Sequence, residues 1–90
     1  MMKQALGMVE TRSLVAAIQA ADTMVKSADV RIVDFEFVGS GIVSVMVEGE
    51  VAAVKAAVEN AKETASQIAE IISVNVIPRP HTEVDKILEY

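Results

Sequence analysis

The chain has no cysteine, a single histidine, and only two phenylalanines and one tyrosine among its 90 residues. Without thiols there are no disulfides, thiolate metal sites or cysteine nucleophiles. One histidine, His81 between Pro80 and Thr82, leaves a transition-metal site within one chain short of ligands. No serine–carboxylate constellation of recognisable spacing stands beside it, and the carboxylates are dispersed at surface-type positions rather than paired for acid–base work. The expectation is a protein with no catalytic residue, no metal and no cofactor. Basic residues are scarce as well: eight Lys and Arg against thirteen Asp and Glu give a net charge of −5. That balance disfavours electrostatic attraction to nucleic acid or anionic lipid, and the shortage of aromatics withholds the stacking platforms an RNA-binding sheet needs. Long hydrophobic runs are missing too, since no apolar stretch approaches the ~20 residues that span a bilayer. Met1-Met2-Lys3-Gln4 leads into the first strand without the apolar run of a signal peptide. The chain reads as cytoplasmic, with neither nucleic acid nor membrane as partner.

What is present in excess is small aliphatic surface. Hydrophobic residues make up 52% of the chain and aromatics 3%, so the core is built from Val, Ala, Ile, Leu and Met. Ninety residues make one domain, 1–90, at the small end of what folds alone. So small an interior cannot hide that much apolar surface, and the surplus points to subunit contacts.

Taken in order, Ala5 to Thr11 reads as a strand, weakened by Gly7, which marks a bulge or a close backbone approach. Thr11-Arg12-Ser13 offers N-caps for a helix. Leu14, Ile18, Ala21 and Val25 fall on one apolar face of it, while Ala16, Ala17, Ala20 and Ala21 allow close packing on a sheet. Lys26 lies in its last turn, where a cation complements the helix dipole. Val30 to Val38 and Ile42 to Glu48 are strands rich in Val, Ile and Phe. Phe35 and Phe37 share one face of the first, opposite Asp34 and Glu36. A second helix is expected from about Val51 to Ile68, burying Val51, Val54, Val58, Ala61, Ala65 and Ile68. Ile71 to Ile77 is a fourth strand, Pro78 and Pro80 end its ladder, and Glu83 to Leu88 has the pattern of a last short helix capped by Thr82. The fold class is α+β: a ferredoxin-like β-α-β-β-α-β variant with a four-stranded antiparallel sheet and both helices on one face.

Between the middle strands only Gly39-Ser40-Gly41 remains, a tight hairpin link that leaves backbone N–H groups and one small hydroxyl unshielded. Spacing alone makes this a turn and nothing more. It resembles no P-loop, lacking both the Lys-Ser/Thr ending and a following helix.

Four segments together carry a resemblance: Ala5-Leu6-Gly7-Met8-Val9-Glu10-Thr11, Met24-Val25-Lys26-Ser27-Ala28, Val38-Gly39-Ser40-Gly41 and Val76-Ile77-Pro78-Arg79-Pro80-His81. In this order they resemble bacterial microcompartment shell proteins of the single-domain, hexamer-forming class, especially those of propanediol- and ethanolamine-utilising compartments. The resemblance covers nearly the whole chain. It implies a flat six-fold ring that tiles edge to edge with itself and with other shell proteins, around encapsulated enzymes. Gly39, Ser40 and Gly41 would line a central pore passing small polar metabolites, with Phe37 at its mouth. Lys26 and Arg79 would take the family's edge positions between rings, with Asp29 and His81 beside them. This sequence departs from the pattern at Asp29, where relatives often carry asparagine, and at Phe37, where they commonly carry a polar or basic residue. It also stops at Tyr90, without the C-terminal extension of some relatives. Asp29 is expected either to pair with Lys26 or Arg79 or to weaken tiling. The alternative reading is a small-metabolite-binding regulatory domain of the same architecture, which predicts a dimer or tetramer.

Overall fold

Alternation along Ala5-Leu6-Gly7-Met8-Val9-Glu10-Thr11 gives one face to Ala, Gly, Val and Thr and the other to bulkier groups, and the segment forms strand β1 (Ala5–Thr11). In the computed structural model, which describes residues 4–78, the Ser13 side-chain oxygen accepts the Ala16 N–H at 3.1 Å. That bond satisfies one orphan donor and starts helix α1 (Leu14–Ser27). Strands β2 (Val30–Gly39) and β3 (Ile42–Gly49) form a hairpin, helix α2 (Val51–Ala65) crosses back, and β4 (Ile71–Ile77) follows. The order across the sheet is β2-β3-β1-β4, with every neighbouring pair antiparallel. This is the expected split βαβ topology, with β3 inserted between β2 and β1.

Both helices pack on one face of the sheet and on each other, α1 over β3, β1 and β2 and α2 mainly over β1 and β4. Val9, Val43, Val45 and Val47 rise from the sheet to meet Ala16, Ala17, Ala20 and Met24 of α1 and Val54, Ala57, Val58 and Ala61 of α2. Each buried valine contributes roughly 1.5–3 kcal/mol of transfer free energy. Gly7 lies under α2, where a Cβ would come within 2.7 Å of both Val54 Cγ1 and Val58 Cγ2. The expected close approach is therefore real, and it belongs to the helix rather than to a bulge.

Three expectations need correction. Of the predicted apolar face of α1, only Ala21 is buried and Leu14, Ile18 and Val25 are exposed; Ala16, Ala17, Ala20 and Ala21 pack on the sheet as expected, joined by Met24. Side chains as small as alanine let the helix backbone sit close to a sheet already filled by valines, and dense packing selects that arrangement. Helix α2 ends at Ala65, three residues early, as Ser66 Oγ donates to the Glu63 carbonyl and the chain tightens into a turn; Ile68 is consequently exposed, and Val51 remains at the surface at the other end. Strands β2 and β3 each run one residue further than expected, to Gly39 and Gly49. The last short helix, Glu83 to Leu88, lies outside the described residues.

Candidate functional site

The β2–β3 link uses a two-residue turn, Ser40-Gly41, closed by the pairing of Gly39 with Ile42. Backbone φ is +115° at Gly39, +55° at Ser40 and +78° at Gly41. Positive φ at both central positions is what a tight hairpin turn with the right strand twist requires. All three residues are exposed, and no side chain larger than a hydroxymethyl group stands on the turn.

Two register shifts shape the strand leading to it, one at Val33 and one at Val38. The extra residue at Val33 resets the alternation, so Val30 and Ile32 share the helix-side face with Phe35 and Phe37. Period-two reading of the sequence splits these pairs between faces. Phe35 and Phe37 stack edge to face, their ring centroids 6.4 Å apart at 76°. Phe37 is 68% exposed, beside the turn as expected. One neighbour escaped the sequence reading altogether. Arg12, between β1 and α1, donates from Nη1 to the Ser40 carbonyl over 3.4 Å. Thr11 pairs with Val43 across β1–β3, and that register, invisible in sequence spacing, brings residue 12 level with the turn.

Of the expected edge residues, Lys26 and Asp29 sit toward the other end of the hairpin, roughly 30 Å away along β2 at the usual strand rise. Lys26, in the last turn of α1, forms an ion pair with Asp22 one helical turn earlier at 3.0 Å, so its partner within the chain is not Asp29. Asp29 is exposed and borders an open hollow of about 630 Å³ that Arg31, Glu48, Glu50 and Val51 also line. Arg31 and Glu48 are joined across the β2–β3 ladder, with Arg31 Nε donating to Glu48 Oε1 at 2.8 Å. Arg79 and His81 lie outside the described residues. Among the described residues no cluster of three or more His, Cys, Asp or Glu is placed to hold a metal ion, and no helix is long and apolar enough to cross a membrane.

Strand β2 is an edge of the sheet, so one side of its backbone has no partner strand. Its outer half carries Phe35, Phe37 and Val38, all exposed, and α1, which also touches β2, exposes Leu14, Val15 and Ile18. The site thus consists of an apolar flank that ends at a bare, hydroxyl-bearing turn.

The model of the family described as the BMC domain matches residues 5–80. The chain belongs to the BMC domain family. Within this family it is 57% identical over 88 residues to the bacterial microcompartment shell protein PduA of Citrobacter freundii, covering 98% of this chain and 95% of the relative. It is 49% identical over 84 residues to the shell protein EutM of Salmonella typhimurium, covering 93% and 88% respectively. Among solved structures, a microcompartment protein from Desulfitobacterium hafniense superposes with a TM-score of 0.84 at 30% identity. The match takes in 96% of this chain but spans only 47% of that longer one. The BMC fold is therefore shared over almost every element described above.

Proposed function

We propose that this BMC protein is a structural component of a bacterial microcompartment shell, acting as a hexameric ring rather than as an enzyme. Its near-full-length similarity to PduA and EutM supports the shell role and, with it, a location in the shell of a compartment within the bacterial cytoplasm. The whole chain acts as one shell domain. Six copies bring six Ser40-Gly41 turns around a central opening, and their backbone donors and hydroxyls suit small polar metabolites. Lys26, Asp29, Arg79 and His81 serve the ring edges, where rings tile with one another and with other shell proteins around encapsulated enzymes.

The observation that carries the ring is the exposed apolar flank of α1 and β2. A sheet edge bearing Phe35, Phe37 and Val38 beside an apolar helix face is an open template for another chain. Cyclic closure covers it in every copy with the turn held toward the axis. Native mass spectrometry with negative-stain microscopy of the same sample tests the proposal. The expected result is a hexamer that also forms sheets, tubes or regular arrays. A strict monomer or dimer, with no arrays at any salt concentration, sinks it.

A further inference from the structure

Arg12 is, among the described residues, the one cation hydrogen-bonded to the turn, and its charge is uncommitted. Among the described residues Lys26 is paired with Asp22 and Arg31 with Glu48, whereas Arg12 makes no ion pair. Its sole described contact is the 3.4 Å bond to the Ser40 carbonyl, so most of its five N–H donors are unused. The nearby acids do not take them. Glu10 accepts the Ser73 hydroxyl at 2.6 Å, and Glu36 lies opposite Ser44 in the ladder. A guanidinium stays charged at any accessible pH. The bond to the Ser40 carbonyl ties that charge to the backbone of the turn at the exposed tip.

We propose that Arg12 is the specificity-determining charge of the channel, favouring small anions over cations. The proposal rests on the reading of the turn as a pore lining. Repeated around a ring, the arrangement sets six fixed positive charges at one opening, although each chain is acidic as a whole. Walls of low dielectric focus such a field, and the screening length of about 8 Å at physiological ionic strength leaves it effective across a narrow opening.

The test measures reversal potential in a potassium chloride gradient across tiled sheets sealed over an aperture. Wild type, Arg12→Gln and Arg12→Lys are compared, and ring integrity is checked by native mass spectrometry. Wild-type sheets are expected to prefer chloride. Arg12→Gln should lower the chloride-to-potassium permeability ratio by roughly fivefold, with a larger drop at low ionic strength, given screened charges acting over ~10 Å. Arg12→Lys should keep most of the preference. An unchanged ratio in intact Arg12→Gln rings overturns the proposal. So does a loss of rings in Arg12→Gln that Arg12→Lys restores, since that assigns the charge to assembly. Wild-type sheets that are intact but carry no current overturn the pore reading itself, a result distinct from both.

Discussion

Thr11 has no exposed surface, and its hydroxyl donates to the Glu70 carbonyl at 3.0 Å, joining β1 to the start of β4 across 59 positions of chain. The bond sits where the β1–β4 register shifts between Glu10 and Thr11. There the side chain supplies a partner that the regular ladder omits. Thr11→Val keeps the shape and removes the donor, so the Glu70 carbonyl loses that partner. A loss of about 1–3 kcal/mol is expected, read from urea denaturation. Thr11→Ser keeps the donor and should stay closer to wild type.

Gly7 is held by contact rather than by conformation. Gly7→Ala forces a methyl against Val54 and Val58, whose γ-carbons lie 2.7 Å from where it would stand. Both valines are buried and β-branched, so neither turns aside readily. Overpacking of this kind costs about 1–3 kcal/mol. A lowered melting temperature with an unchanged far-ultraviolet spectrum is the expected signature; a wild-type melting curve would show that α2 moves away freely.

Ile18 separates assembly from folding. It is 54% exposed on α1, so Ile18→Lys should leave the helix and the core intact while placing a charge on the face proposed to meet a neighbouring copy. Native mass spectrometry should then show the hexamer replaced by smaller species that retain the wild-type circular dichroism. An intact hexamer would remove this face from the ring contact.

The proposed edge roles of Lys26 and Arg79 concern the next level of assembly. Lys26→Ala and Arg79→Ala are expected to give whole rings that no longer tile, visible as isolated discs by microscopy. Chains of net charge −5 repel as rings approach, so wild-type arrays should weaken as salt is lowered and the screening length grows from ~8 Å toward ~30 Å. Turbidity that rises on dilution of salt contradicts this account.

Much of the architecture was legible because local signals and global topology agree. The Ser13 cap, the four strands and the turn residues all lie where their chemistry puts them. The face of α1 was legible in its alanines but not in its larger residues, because two stripes of helical period coexist on it. One carries Leu14, Ile18 and Val25, and the other Ala16, Ala20 and Met24. A reading weighted by side-chain size picks the first, but a sheet lined with valine accepts the second, and the larger residues remain for another chain. The turn itself was plain from its glycines, whereas Arg12 was not. Its place there depends on β1 lying beside β3, a pairing between segments more than thirty residues apart. The shift at Val33 does leave a trace, since the charged positions change parity from Arg31 to Asp34 and Glu36, but a reading by strand composition alone passes over it.

Ser40, at φ +55°, is the one non-glycine residue with positive φ among those described. Branched and bulky residues enter that region only at a cost of order 1–3 kcal/mol, while glycine, asparagine and aspartate tolerate it. Evolution or an engineer therefore has a short alphabet at this tip: the present hydroxymethyl, an amide, a carboxylate or no side chain at all, but not a valine or a threonine without a penalty repeated in every copy. On the proposed pore reading, larger changes in bore or polarity belong at extended-backbone positions such as Phe37, so permeability would be retuned most cheaply from beside the turn.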